Sequence, residues 1–424
     1  MLSYRHVVHS LYKRRSPMDN NNHISVIRQW LSLLPINVLD RTLFDRYAKK
    51  LTIMKTILIF LAAQLNRWSS YEEIENQIHA HPQWQSLLQL TRISGSQLSR
   101  KLDQIPTELL EWMMVQGVAQ VQALSSARGH NGITSKIGKL GIVDSSVISL
   151  PLRLCDWAAL SPKECGVKMH LRLIADSPDS VYPDAILPTN VAVDDRYATL
   201  QLVTESDVTY VMDRGYEDFR KMDNWLSRDI KFVLRVRERV TTTCVEAYPV
   251  PEGSSILTDA KVKVGSSKSN YVMKRELRLV VFRDSKGRLY KLLTSRWDAS
   301  AEEIAHIYKC RWLIELFFKW IKQHLRLVKV YSYKPQALWN QLFLGLLTSL
   351  LVLQIQLSTQ TKRTPWQVLQ LLRMYMYSTW TAFEVELNRQ PTRRSRGRQP
   401  SAERHSTALR TSIGVIQQRK EKAR

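Results

Sequence analysis

Residues 308–322 read YKCRWLIELFFKWIK and lie within a longer stretch, residues 300–327, that has the apolar spacing of one amphipathic helix. Tyr308, Arg311, Glu315 and Lys322 stand at offsets of 0, 3, 7 and 14. At about 100° per residue, these four side chains project within an arc of roughly 60°. The spacing therefore predicts a glutamate flanked by two cations and a tyrosine on one face of a long helix.

Two interpretations of this face remain open. Arg311 and Glu315 are an i, i+4 pair, so the stripe can be an ordinary ladder of surface ion pairs. The same arrangement suits a carboxylate that binds a metal ion beside a phosphate backbone, with Arg311, Lys322 and Tyr308 holding the strand. Lys319 would extend the basic part of that stripe.

Two further carboxylates follow apolar strand-like runs. Asp144 ends GIVD, and Asp213 ends TYVMD. Carboxylates just outside the carboxyl ends of sheet strands lie where α/β proteins place their sites. An aspartate at such a position can also be a simple turn or helix cap, so neither residue alone predicts chemistry.

The segments between these carboxylates predict an α/β domain over residues 137–356. Strand-like runs come first, and strand and helix patterns then alternate through TYVMD, YEDFRKMDNWLSRD and KFVLRVRE. From about residue 239 to 296 the pattern is β only, with a hairpin signal, DSKG, that ends at Gly287. We interpret this region as a β-strand insertion.

The N-terminal region, residues 1–124, has the pattern of a helical domain, and residues 125–136 that of a polar linker. A turn at Gly95 precedes the basic helix SQLSRKL, which resembles a helix-turn-helix reader of DNA and makes Arg92, Arg100 and Lys101 candidate DNA contacts. An ordinary helical hairpin explains the pattern equally well.

The C-terminal part is predicted to contain a helical region, residues 357–390, and a basic disordered tail, residues 391–424, that lies along DNA or is simply solvated. The most apolar run, residues 342–353, is shorter than the roughly 20 residues that span a bilayer, and it predicts a buried core helix.

Charge and cysteine content narrow the class of protein. The chain has 62 Lys and Arg against 38 Asp and Glu, a net charge of +24, which favours a polyanionic partner. Its four cysteines form no CxxC pair, which argues against a structural zinc site and fits a reducing compartment. The N-terminal stretch lacks the apolar core of a signal peptide, so we expect a cytoplasmic protein without a membrane partner.

The spacing Y-x2-R-x3-E-x6-K resembles the signature of bacterial insertion-sequence transposases of the insertion sequence 4 family. VMDRGY resembles the segment with that family's second catalytic aspartate, and GIVDSSVI the segment with the first. The resemblance implies an α/β ribonuclease-H-like catalytic core with a β-strand insertion, preceded by an all-helical N-terminal DNA-binding domain. Family members often stack an insertion aromatic on a base flipped from the element end, and Trp297 is the nearest candidate here.

The resemblance also implies the chemistry. Asp144, Asp213 and Glu315 would hold two Mg²⁺ ions, which Mn²⁺ can replace, about 3.5–4 Å apart for phosphoryl transfer. The expected partners are double-stranded DNA, as terminal inverted repeats and as target, and a second copy of the chain in a synaptic homodimer.

Three other functions compete with this interpretation. A noncatalytic, transposase-derived DNA-binding regulator would gain nothing from placing like charges together. A ribonuclease-H-like nuclease without strand transfer would share every motif, and only a strand-transfer assay separates it. A membrane-surface protein with a basic tail is disfavoured by the α/β core.

Overall fold

The structure, a computed structural model, describes residues 25–34, 45, 48, 50–126, 134–161, 163–177, 180–266 and 271–389. The chain forms two compact units. The first contains the described residues up to Leu124 and those from His324 onward, and the second runs from Ser125 to Gln323. The predicted tail, residues 391–424, and residues 127–133 of the predicted linker lie outside the described residues.

The described helices are, in chain order, α1 Val26–Ser32, α2 Ile53–Asn66, α3 Tyr71–Ala80, α4 Pro82–Leu88, α5 Gly95–Asp103, α6 Thr107–Ser126, α7 Thr134–Ile137, α8 Asp195–Leu202, α9 Phe219–Ser227, α10 Ala301–Lys309, α11 Trp312–His324, α12 Pro335–Ser358, α13 Pro365–Met374 and α14 Trp380–Asn388. The strands are β1 Lys139–Ser149, β2 Ala159–Ser161, β3 Glu164–Ser177, β4 Ser180–Asn190, β5 Val208–Met212, β6 Lys231–Arg235, β7 Thr242–Ala247, β8 Ile256–Val264, β9 Leu277–Arg283 and β10 Leu289–Thr294.

In the first unit, α12 is the core helix. It is apolar on all sides, nearly all of its residues are buried, and it packs against α2, α5 and α13. Its buried Asn340 donates to the carbonyls of Leu102 and Ile105, both at 2.8 Å, at the end of α5. By length and composition α12 could cross a membrane, but 89% of its most apolar window is buried within the fold. The expectation of a buried helix at residues 342–353 agrees with this burial.

The two compact units differ from the predicted domain boundaries. The sequence predicts a separate domain over residues 1–124 and an α/β domain that extends to residue 356. In the structure, α12 instead completes the core of the N-terminal helices. The helical pattern of α2 and α5 shows an apolar face that needs a partner, but it does not show that the partner follows more than 200 residues later.

In its described residues, the second unit is built on one mixed sheet of ten strands. The strand order is β2-β3-β1-β5-β6-β10-β9-β8-β7, with β4 also paired to β3. β1, β5 and β6 are parallel neighbours, and the remaining pairs are antiparallel. The predicted β-only region, residues 239–296, is confirmed as β structure, but its strands continue the main sheet beyond β6 through β10. Gly287 closes the DSKG hairpin with φ of 78°, which glycine adopts without strain.

Two local predictions are corrected. β1 does not end at Asp144 but continues to Ser149, because the long β3 supplies antiparallel partners beyond the last parallel pair, Ile142 with Val211. The predicted single helix of residues 300–327 is broken into α10 and α11.

Hydrogen bonds of the i to i+3 type cause that break. Cys310 N–H donates to the Ile307 carbonyl at 3.1 Å, and Arg311 N–H to the Tyr308 carbonyl at 3.0 Å. Such bonds tighten the turn, so the constant 100° step that predicted one continuous stripe does not hold across Arg311. The predicted C-terminal helical region, residues 357–390, contains the two helices α13 and α14 in its described part.

Candidate active site

Asp144 lies within β1, two residues beyond its last parallel pair with β5. The carboxylate is mostly buried, and its Oδ1 accepts from the Ser145 backbone N–H at 2.8 Å. Its Oδ2 lies 3.2 Å from the Arg311 guanidinium. The strand therefore presents Asp144 with one oxygen held by its own backbone and the other paired to a cation.

Asp213 directly follows β5, as predicted, and caps the short 3-10 turn Arg214–Tyr216. Its Oδ1 accepts from the Tyr308 hydroxyl at 3.1 Å, and an Arg235 guanidinium nitrogen lies 3.8 Å away. β1 and β5 are adjacent and parallel, so Asp144 and Asp213 lie at the same edge of the sheet.

Glu315 is in the first turn of α11 and Arg311 is in the break before it. The Arg311 guanidinium contacts Glu315 Oε1 at 2.5 Å and Asp144 Oδ2 at 3.2 Å. The i, i+4 ion pair expected from the sequence is present, but it is one half of a bridge to β1. Arg311 therefore joins two of the three predicted carboxylates.

The pKa of Asp144 responds to the charges of the other two carboxylates. Burial is the largest cause that raises the pKa of Asp144, to about 6. The Ser145 N–H and Arg311 oppose that rise, while the negative charges of Asp213 and Glu315 add to it. Neighbouring like charges disfavour each other's ionised form, so a bound cation would stabilise the ionised forms of these carboxylates.

Burial and the neighbouring carboxylates also shift the pKa values of Tyr308 and Arg311. Burial, followed by the charge of Asp213, raises the pKa of Tyr308, which stays protonated and donates to that carboxylate. Burial alone would lower the pKa of Arg311, but its bond to Glu315 and the nearby charges raise it overall. Both side chains are therefore held in their hydrogen-donating forms.

The remaining predicted contacts are more scattered. Lys322 donates to the Val147 carbonyl of β1 at 2.9 Å, and burial lowers its pKa. Lys319 is exposed on α11, and Trp297, between β10 and α10, is 45% exposed. In the first unit Arg100 is exposed, whereas Lys101 forms a largely buried ion pair with Asp45 at 2.9 Å.

Arg235 was missed by the sequence interpretation. It ends β6, the strand beside β5, and its guanidinium lies 4.7 Å from the Tyr290 ring centre as well as near Asp213. A basic residue at the carboxyl end of the neighbouring parallel strand was the available signal.

A basic cleft of about 700 Å³ has Arg214, the residue after Asp213, in its lining. Its lining is Arg214, Arg235, Val236, Arg237, Glu238, Arg239, Val281, Leu289 and Lys291. Five of these residues are cationic and one is acidic, so the cleft favours an anionic ligand. We call it the basic cleft.

The donor chemistry of the three carboxylates fits a hard divalent cation, since all the donors are oxygen atoms. In the described part of the chain, no three acidic, histidine or cysteine side chains are grouped closely enough to hold a metal ion as they stand. Arg311 instead places positive charge between Asp144 and Glu315.

Known transposases are similar to this chain in sequence. Residues 137–351 match the transposase DDE domain. A protein of Geobacillus stearothermophilus named as a transposase for insertion sequence element IS5377 is 26% identical over 308 residues, 72% of this chain and 77% of that protein. A protein of Sinorhizobium fredii named as a transposase is 30% identical over 212 residues, 49% of this chain and 58% of that protein.

One further relative and one solved structure are also similar to this chain. A protein of Synechocystis named as a transposase for insertion sequence element IS4SA is 26% identical over 253 residues, 57% of this chain and 68% of that protein. The solved structure of the piggyBac transposase in a synaptic complex with hairpin DNA has 13% identity and a TM-score of 0.40, covering 86% of this chain and 76% of that one.

Proposed function

Because this chain belongs to the transposase DDE domain family, whose members cleave and join DNA, we propose that it binds the terminal inverted repeats of an insertion sequence and catalyses metal-dependent cleavage and strand transfer there. The observation that supports this proposal is the contact of Asp144 and Glu315, which are far apart in the sequence, with the same Arg311 guanidinium. Asp213 lies at the same edge of the sheet as Asp144. We further propose membership of the insertion sequence 4 family, on the Tyr308, Arg311, Glu315 and Lys322 spacing.

The strand order supports a ribonuclease-H-like core. β4, β3 and β1 form an antiparallel run, and β5 and β6 then follow in parallel on the far side of β1. In this arrangement β1 and β5 carry Asp144 and Asp213 side by side, and α11 supplies Glu315.

Asp144, Asp213 and Glu315 are the residues that would hold the divalent ions, Mg²⁺ or Mn²⁺. When bound, such ions supply activation of the attacking oxygen and neutralisation of the charge that develops on the phosphate. Tyr308 orients Asp213 through its hydroxyl, and Arg311 is placed to exchange its carboxylate partners for a phosphate of the scissile strand. Arg235 adds a second guanidinium on the Asp213 side.

The basic cleft is the proposed path of the DNA strand as it leaves the carboxylates. Its cations would contact phosphates without regard to sequence.

We assign recognition of the terminal repeats to the helical first unit, around Arg92 and Arg100, and we propose that a homodimer pairs two ends. Sedimentation with end DNA should then show two chains per complex, and a competent complex of one chain with one end would contradict the dimer.

The experiment that tests the function is direct. Purified protein is incubated with candidate terminal inverted repeats and Mg²⁺, and the products are separated by size. Nicked ends together with joined strands support a transposase. Cleavage without joining would favour a nuclease, and binding without either product would favour a DNA-binding regulator.

A further inference from the structure

A fourth carboxylate, Asp195, lies close behind Asp144. It occupies the first turn of α8, and its Oδ1 accepts from the Ser145 hydroxyl at 2.9 Å. The same oxygen lies 3.1 Å from the Lys168 ammonium and 3.6 Å from His170 Nδ1. Three polar side chains from β1 and β3 therefore surround a single oxygen of Asp195, its Oδ1.

Ser145 connects Asp195 to Asp144. Its hydroxyl donates to Asp195, while its backbone N–H donates to Asp144 Oδ1 at 2.8 Å. Successive side chains on a strand point to opposite faces, so Ser145 reaches α8 on one face while Asp144 projects from the other. The position of Ser145 thus sets the direction of the N–H that holds the Asp144 carboxylate.

The neighbours of Asp195 form one polar cluster on that face of the sheet. His170 is the register partner of Ser145, and Lys168 is the partner of Val147. Burial lowers the pKa of His170 to about 4, so the imidazole is neutral near pH 7 and its Nε2 contacts the Thr189 hydroxyl at 3.0 Å. Lys168 is the cation that balances Asp195, and it also donates to the Val193 carbonyl.

The second oxygen of Asp195 faces the segment that follows Asp213. A Cβ atom built on Gly215 would lie 3.9 Å from Asp195 Oδ2. The next residue, Tyr216, is buried, and its pKa is raised well above the usual value by burial first and then by the charges of Asp144 and Asp195. Asp195 thus lies between the chain segments that carry the two catalytic aspartates.

We propose that Asp195 is a positioning residue for Asp144. By accepting from the Ser145 hydroxyl it fixes the Ser145 N–H that engages Asp144 Oδ1, which leaves Oδ2 directed towards Arg311 or a divalent cation. This inference rests on the proposed role of Asp144 as a metal ligand. A tether between α8 and the sheet would need only the ion pair of Asp195 with Lys168, whereas a positioning role also needs the Ser145 hydroxyl.

The test measures Mn²⁺ affinity of the full chain by titration calorimetry. Ser145→Ala removes the hydroxyl and keeps the ion pair, so we expect affinity to fall about ten-fold, the usual effect of losing a group that orients a metal ligand. Ser145→Thr keeps a hydroxyl and should restore affinity. Asp195→Ala should weaken Mn²⁺ binding as much as Ser145→Ala, and the double variant should be no weaker than either single one, since both act through one contact.

Asp184→Ala is the matched control. It breaks another buried ion pair that involves β3, Asp184 with Arg172 at 2.6 Å, which has no contact with Ser145. It should lower the melting temperature and leave Mn²⁺ affinity unchanged. Wild-type Mn²⁺ affinity in Ser145→Ala would overturn the inference, even if Asp195→Ala does not fold. Wild-type affinity in Asp144→Ala would overturn the metal assignment itself and the inference with it.

Discussion

Arg311 lies 3.2 Å from Asp144, a residue 167 positions earlier in the chain, and it contacts Glu315 through its other terminal nitrogen. The contact requires the break between α10 and α11, which places Arg311 outside regular helix. A residue that appears in the sequence to be half of a surface ion pair therefore joins the sheet to the helix that carries the third carboxylate.

The first prediction concerns the three carboxylates. Asp144→Asn, Asp213→Asn and Glu315→Gln should each abolish cleavage of end DNA while DNA affinity stays within a few-fold of wild type. The losses should not add in double variants, because the three groups act as a unit. Asp207→Asn removes an exposed carboxylate of the same unit and should leave cleavage unchanged. A Glu315→Gln protein that cuts at the wild-type rate would sink the assignment.

The second prediction concerns pH. Asp144 has a pKa raised to about 6, and a metal ion binds the ionised form, so Mn²⁺ affinity should fall as pH drops through about 6. Arg311 opposes the rise of that pKa, so Arg311→Gln should move the midpoint to higher pH. Calorimetric titration with Mn²⁺ between about pH 5 and 8, a range that brackets the raised pKa of Asp144, measures both the loss of affinity and the shift of its midpoint. A midpoint that stays in place or moves to lower pH would show that Arg311 does not lower the pKa of Asp144.

The third prediction concerns Lys322. If it contacts DNA phosphate, Lys322→Ala should weaken binding and reduce the salt slope by about one counterion, with cleavage reduced further. Its observed contact is the Val147 carbonyl. If Lys322 has only this structural role, Lys322→Ala should lower the melting temperature and leave the salt slope unchanged. Affinity at several salt concentrations separates the two. Lys319→Ala removes an exposed cation of the same predicted stripe, so it should reduce the salt slope without lowering the melting temperature.

The fourth prediction concerns the basic cleft. Arg239→Glu reverses an exposed charge in its lining and should lower affinity for DNA of any sequence and flatten the salt dependence. Arg288→Glu also reverses an arginine of this unit, but Arg288 pairs with Asp284 and does not line the cleft. Equal effects of the two substitutions would show that net charge, rather than the cleft, governs binding.

The fifth prediction concerns end recognition. Arg100→Ala in the full chain should reduce the preference for terminal over random DNA at equal salt. Lys101→Ala should mainly lower the melting temperature, because Lys101 is paired with Asp45. An unchanged preference in Arg100→Ala would leave the ordinary helical hairpin as the better interpretation of α5.

Sequence patterns predicted the elements whose cause is local. The buried strand before Asp213, the hairpin at Gly287 and the buried run inside α12 all follow from nearby residues. The continuation of β1 past Asp144 depends on the length of β3, and the bridge from Arg311 depends on a helix break within an unbroken amphipathic pattern. Asp195 is unremarkable in sequence, since an aspartate in the first turn of a helix is common and its link to Ser145 spans 50 positions.

The late position of α12 has a consequence for synthesis on the ribosome. α2 and α5 bury their apolar faces against a helix that ends at Ser358, so they emerge long before their partner exists. At about 5–20 residues per second, the roughly 250 intervening residues take on the order of 10–50 s to translate. We expect the nascent N-terminal helices to depend on chaperones during that interval, and chains terminated before α12 to be degraded rather than to accumulate as free DNA-binding fragments.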